Sequence, residues 1–240
     1  MSFDFDAAER HLLAEADDLL PALAIARQAT ECLGAMVEGV TVPPAPDGAP
    51  PSYYAKSATL MLAVIALRTG RACMLVVSAG YMPEAHGLKR RLSEVHARIQ
   101  AISNDSSGQH ARDWLSGRGP STPTKLFGKF GSADLWEMYS WGAHADAQSV
   151  HQWLSVPLPD VHEGHTGIAV PPHHHEILSN AVLTEVAMEC RDMAAAMVVA
   201  RARTEDEIHA NLAQVGTLDD EIEAMIARYY NRVPDEGGEG

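Results

Sequence analysis

Positive charge and paired cysteines are both scarce in this chain. Its 240 residues carry 18 Lys and Arg against 32 Asp and Glu, a net charge of −14 with histidine neutral. That balance argues against a protein that binds nucleic acid or an anionic membrane, because both depend on clustered positive charge. The three cysteines, Cys32, Cys73 and Cys190, form no CxxC pair and lie in apolar helical surroundings. They predict free thiols and a cytoplasmic protein.

Uninterrupted apolar runs and catalytic sequence motifs are absent as well. The most apolar stretch, residues 58–79, contains Arg68 and Arg71, which a bilayer centre tolerates only with partners. The acidic, helix-forming start predicts no signal peptide. No Gly-rich phosphate loop and no GxSxG elbow occurs. We therefore expect a soluble protein without membrane contact, and no motif indicates an enzyme.

Apolar residues that recur at intervals of three and four predict an all-α protein. We expect a single domain over residues 1–232, built as a bundle of about five long helices, and a disordered tail over 233–240. The first helix covers 6–39 with a bend before Pro21, and a proline-rich linker over 40–51 follows it.

Further helices are predicted over 52–79, 83–103, 132–155, 172–203 and 216–232, with a short helical stretch over 111–115. Six prolines and glycines interrupt residues 156–172, which predicts a long histidine-containing loop with one short strand at most.

Two arginines, Arg68 and Arg71, lie on the least polar of these helices. A buried guanidinium needs a carboxylate partner, because an unpaired buried charge is costly. Glu94 on the helix over 83–103 is the expected partner, and Glu31 and Glu38 are alternatives. The pair is either an interhelical ion pair that sets helix register or part of a polar binding pocket.

The helix over 83–103 also carries Arg91 and His96 at the R-x4-H spacing of ribonucleases in the HEPN superfamily. In such a site the arginine stabilises phosphate charge and the histidine moves or orients a proton. The spacing occurs about as often in this chain as its arginine and histidine content predicts. A solvent-facing pair without catalytic use is therefore the alternative.

Two segments carry a family resemblance. One reads Arg90-Arg91-Leu92-Ser93-Glu94, and the other, residues 135–144, contains Tyr139, Ser140 and His144. Together they resemble a broad set of uncharacterised bacterial helical proteins with an R-x-L-x-E helix and a Y-S-x-x-x-H helix. The match covers about residues 53–155. The resemblance implies a HEPN-like helical fold and binding positions at Arg91, Glu94, Tyr139, Ser140 and His144, but no reaction.

Histidine is concentrated in one part of the chain. Seven of the twelve histidines fall within residues 144–175. Neutral imidazole is a common ligand for zinc and other transition metals, and four such donors can come from a helix and a loop. His144, His151, His162 and His165 are the candidate ligands. The alternative is a surface of titrating groups that binds no metal.

These observations favour a non-enzymatic interaction or ligand-binding module that self-associates and takes a protein or small-molecule partner. We expect no cofactor and no nucleic-acid partner. The functional surface is predicted between the helix over 132–155 and the loop over 156–172. A HEPN-type, metal-independent ribonuclease built on Arg91 and His96 is one alternative. A metal-dependent hydrolase that uses zinc in the histidine cluster is the other.

Overall fold

A computed structural model describes residues 5–39, 46, 48–118, 155–157, 166–168, 172–201 and 205–229. Within these ranges the regular structure is helical apart from two three-residue strands, which confirms the all-α class. The helices are α1 (Phe5–Leu19), α2 (Ala22–Val37), α3 (Pro51–Ser78), α4 (Met82–Ser103), α5 (Gln109–Leu115), α6 (Glu176–Arg201), α7 (Glu205–Gly216) and α8 (Asp219–Tyr229). Strands β1 (Ser155–Pro157) and β2 (Thr166–Ile168) pair in antiparallel fashion.

The core lies among α2, α3, α4 and α6, whose inward faces carry most of the buried apolar side chains. Pairs of contacts fix the helix directions. Thr30 of α2 approaches Met74 of α3 and Gly34 faces Leu67, so α2 and α3 are antiparallel. On α4 and α6, Lys89 reaches Glu185 and Glu189, and His96 reaches Asp192, further along both helices. These two helices are therefore parallel, and both run opposite to α3.

The turn between α3 and α4 depends on Gly80. Its φ of +83° lies in the left-handed region, and a Cβ there would lie 2.7 Å from the backbone nitrogen of His173. The chain can pass this closely only because glycine has no side chain. The His173 amide donates to the Gly80 carbonyl, and a His174 ring nitrogen lies 2.8 Å from the Ser78 carbonyl oxygen. The start of α6 is thus fixed at the carboxyl end of α3.

The predicted single helix over 6–39 is wrong, because the chain forms two helices there. α1 ends at Leu19 and α2 begins at Ala22. Pro21 has no N–H to donate to the preceding turn, which ends the helix. The Ala22 amide instead donates to the side-chain oxygen of Asn180 on α6, at 3.1 Å. A side chain 158 residues away therefore caps this restart.

Toward the carboxyl end the structure also differs from the prediction. The helix expected over 172–203 begins only at Glu176, and the one expected over 216–232 is α8. Helix α7 was not predicted. The predicted loop over 156–172 contributes residues to two short strands, β1 and β2, rather than to one. The helix expected over 132–155 lies outside the described residues, except for Ser155 in β1. Most of the linker and the whole of the tail also lie outside them.

Among the described helices, α3 alone is long and apolar enough to cross a membrane. Half of its most apolar window is buried inside the bundle. Because α3 packs against α2, α4, α5 and α6, its hydropathy is that of a core helix.

Candidate functional site

The two arginines of α3 are not buried. Arg68 and Arg71 are both exposed, and neither forms a salt bridge with a described residue. Glu94 lies 3.6 Å from Arg90 on its own helix. The predicted pairing of Arg68 or Arg71 with Glu94 is therefore wrong. Arg71 instead lines a small cavity with Arg27 and Glu31 of α2, and Glu94 is not among the described residues of that cavity.

Among the residues whose side chains the structure describes, the buried cation is Lys89 on α4, which is 1% exposed. Its ammonium nitrogen lies 3.1 Å from a carboxylate oxygen of Glu185 and 2.9 Å from one of Glu189. It also donates to the Ser93 hydroxyl at 2.8 Å, and that hydroxyl donates to Glu189 at 2.5 Å. We call Lys89, Ser93, Glu185 and Glu189 the core charge cluster. It joins α4 to α6.

The electrostatics of the core charge cluster favour a charged lysine. Desolvation lowers the pKa of Lys89, but the two carboxylates and their hydrogen bonds outweigh it and raise the pKa above its ordinary value. A permanently protonated amine cannot act as a nucleophile or a base. The cluster is therefore suited to fixing helix register, and it is not suited to amine chemistry.

Other titratable groups in the same core are chemically quiet. Burial, followed by the nearby charge of Lys89, lowers the pKa of His86 to about 4. Burial raises the pKa values of Cys73 and Cys190 to about 12. At neutral pH the imidazole is uncharged and both thiols are protonated, so neither thiol is a reactive thiolate. Cys32, Cys73 and Cys190 are all free, as predicted.

The residues of the ribonuclease hypothesis have different surroundings. Arg91 is exposed, whereas His96 is half-buried against α6. A ring nitrogen of His96 lies 2.9 Å from the Gln100 amide nitrogen and 3.7 Å from a carboxylate oxygen of Asp192. Five residues on a helix separate two side chains by about 140° around its axis. The structure thus gives His96 a carboxylate neighbour but does not hydrogen-bond it to Arg91.

The predicted binding and metal residues Tyr139, Ser140, His144, His151, His162 and His165 lie outside the described residues. The three consecutive histidines that precede α6 are described, and two of them make hydrogen-bond contacts through their side chains. His174 reaches the Ser78 carbonyl, and a ring nitrogen of His175 accepts from the Leu178 amide at 3.4 Å in the first turn of α6. Within the described ranges, no group of three or more His, Cys, Asp or Glu side chains is arranged to hold a metal ion.

A groove of about 630 Å³ opens where three helices end. The start of α3, the end of α4 and the end of α6 contribute its walls, which are mainly apolar. Its lining includes Pro50, Pro51, Tyr53, Ala55, Ile102, Ala196, Val199 and Ala200. Volume and composition are those of a site for a small organic ligand. We call this feature the three-helix groove.

The described lining of the three-helix groove includes two charged residues, Asp105 and Lys56. Asp105 accepts hydrogen bonds from the amide and hydroxyl of Ser107 and from the His110 amide, and these bonds lower its pKa to about 2. Its oxygens are thus committed to the turn before α5. Lys56 is exposed and forms no salt bridge with any described residue. Among the described residues, the groove therefore offers apolar walls and one cation without a salt bridge, Lys56.

No protein-family model, curated protein or solved structure matches this chain. Sequence reasoning missed the three-helix groove because its walls come from residues near 50–59, 102–106 and 196–200. No local pattern connects segments so far apart. The core charge cluster did leave a pattern, since His86, Lys89 and Ser93 share one helix face with Leu92.

Proposed function

We propose that this chain is a non-enzymatic ligand-binding module whose site is the three-helix groove. The observation that carries the proposal is an apolar groove of about 630 Å³ whose described lining includes Lys56, an exposed cation that forms no salt bridge with a described residue. An apolar wall favours a hydrocarbon or ring system, and an exposed ammonium favours an anionic end. The ligand class that fits is a small amphiphile with a carboxylate or similar anion.

The test is calorimetric titration with decanoate, and with decyltrimethylammonium as the matched ligand of opposite charge. We expect decanoate to bind more tightly. Lys56→Gln should remove that preference, while Ala196→Trp should block both ligands by filling the groove. Leu212→Trp, an exposed apolar position on α7, is the control and should bind as the unmodified chain does. Equal binding of both ligands, or decanoate binding that survives Ala196→Trp, would refute the proposal.

One observation bears on the ribonuclease alternative, the proximity of His96 to Asp192. A carboxylate beside a histidine is a common arrangement for a general base. RNA cleavage in the presence of a chelator, lost in His96→Ala with helical circular dichroism intact, would favour the ribonuclease. We expect no cleavage. Self-association stays a proposal, and sedimentation of the full chain tests it.

A further inference from the structure

One face of α3 outside the three-helix groove carries exposed residues at alternating intervals of three and four. Met61, Val64 and Leu75 are 46%, 40% and 62% exposed, and Arg68 and Arg71 between them are exposed as well. Positions at this spacing form one continuous line along a helix, the pattern by which two helices pack at a small crossing angle. We call these five residues the α3 seam. It is about 21 Å long at 1.5 Å per residue.

The middle of the α3 seam is cationic and has no paired carboxylate among the described residues. Neither Arg68 nor Arg71 forms a salt bridge there. Glu31 lines the same small cavity as Arg71 without an ion pair to it. The outer positions of the seam are apolar. A surface complementary to this one is therefore apolar at its ends and acidic at its centre.

The same seam on a second copy of the chain does not meet that requirement. Arg68 is the midpoint of the five positions. A two-fold contact in which two seams overlap over their full length therefore places Arg68 opposite Arg68, whether the helices are parallel or antiparallel. Like charges that face each other directly weaken such a contact. The occupant must be a different surface.

We propose that the α3 seam docks an acidic amphipathic helix of a partner protein. That helix carries apolar residues at the outer contact positions and two Asp or Glu residues, three apart, at the central ones. Met61, Val64 and Leu75 take the apolar contacts. Arg68 and Arg71 pair with the carboxylates, and their aliphatic stems cover apolar surface. This surface is separate from the three-helix groove and goes beyond ligand binding.

The test uses two labelled synthetic helices of about 21 residues, long enough to cover the seam. Both carry Leu at the outer contact positions, and they differ only in Glu or Lys at the two central ones. Fluorescence anisotropy with the full chain should show the Glu helix binding at least about tenfold more tightly than the Lys helix. The variant Arg68→Glu, Arg71→Glu should reverse that preference. The variant Arg91→Glu, Arg98→Glu changes the net charge equally on α4 and should leave the preference intact.

Three outcomes overturn the proposal: no binding of either helix, equal binding of both, or a preference that the seam variant retains. A dimer of the unmodified chain that dissociates in the seam variant would place a second copy on the seam, and would overturn it too. Circular dichroism of both variants checks their folding. The seam and the groove share no residue. The decanoate titration therefore tests the groove separately from the helix-binding test of the seam.

Discussion

The core charge cluster permits the sharpest test of how this bundle is held together. Replacing Lys89 by Met keeps a long apolar stem but removes the cation between Glu185 and Glu189, whose side chains are 9% and 14% exposed. Breaking a buried ion pair from one side costs about 3–5 kcal/mol, because the remaining charges stay desolvated. For a chain of this size, that corresponds to a fall in Tm of roughly 6–20 °C.

The pH dependence of that cost separates electrostatics from packing. Because the folded-state pKa of Lys89 is raised, its stabilising contribution is fully present below the ordinary lysine pKa and is lost only as pH rises beyond it. The contribution of the Lys89 charge is therefore constant between pH 5 and 8. In Lys89→Met, the two buried carboxylates can relieve their charge by binding protons as pH falls. The cost of the substitution should accordingly shrink from pH 8 to pH 5.

Urea denaturation followed by helical circular dichroism measures the cost at both pH values. Arg90→Met is the matched control, because Arg90 is the next residue along α4 and pairs with Glu94 in a partly exposed geometry. It should cost about 0–1 kcal/mol. A cost for Lys89→Met that is no larger than this, or one that does not change with pH, would refute the role given to the cluster.

Three further predictions concern other sites. His86 is buried and its folded-state pKa is lowered to about 4, so it disfavours folding by up to about 3 kcal/mol as pH falls from 6.5 to 4. The variant His86→Gln should make the urea midpoint less dependent on pH over that range. In the same denaturation assay, Gly80→Ala should destabilise the fold by more than about 1 kcal/mol, because Gly80 has a positive φ and a close backbone neighbour. Gly87→Ala should stabilise the fold by about 0.5–1 kcal/mol, because Gly87 lies on α4 with open space around it. If the histidine cluster holds zinc, zinc should raise the Tm at pH 7.5 and raise it less below about pH 6.5. The double variant His144→Ala, His151→Ala should show no such rise. A Tm that zinc does not raise in the unmodified chain would exclude the site.

The helix boundaries that the sequence predicted well are those set by local chemistry. α3 and α4 were expected over 52–79 and 83–103 and begin and end within one residue of those limits. Pro51 and Pro83 fit the first turn of a helix, and Gly80 adopts the positive φ between the two helices. The break at Pro21 was expected only as a bend, because the Asn180 side chain that caps the restart belongs to a distant helix.

The buried charge was assigned to the wrong residues for a physical reason. Arg68 and Arg71 stand in an apolar segment, yet helix rotation turns both of them outward. Lys89 precedes two arginines and reads as part of an exposed basic run, although it lies three residues from both His86 and Leu92 on the buried face. Average hydropathy was therefore a poor guide here, and position on the helix face would have been a better one.

The described residues on either side of the segment 119–171 lie at opposite ends of α3. α5 packs beside the start of α3, where Gly108 contacts Pro51 and Arg112 lies over the Tyr54 ring. The chain returns at His173, beside Gly80 at the other end. The 28 residues of α3 span about 42 Å at 1.5 Å per residue.

Residues 119–171 therefore join two anchor points that are roughly a whole helix apart, and they do not close a local loop. A fully extended chain needs at least about 12 residues to cover that distance. The average end-to-end distance of a flexible Gly/Ser chain equals the distance between the anchor points only at about 50–60 residues, which is close to the length of the natural segment. Excising this segment and joining its ends by a short turn should thus pull α6 out of register with α4, because a short turn cannot span the distance between the two anchor points.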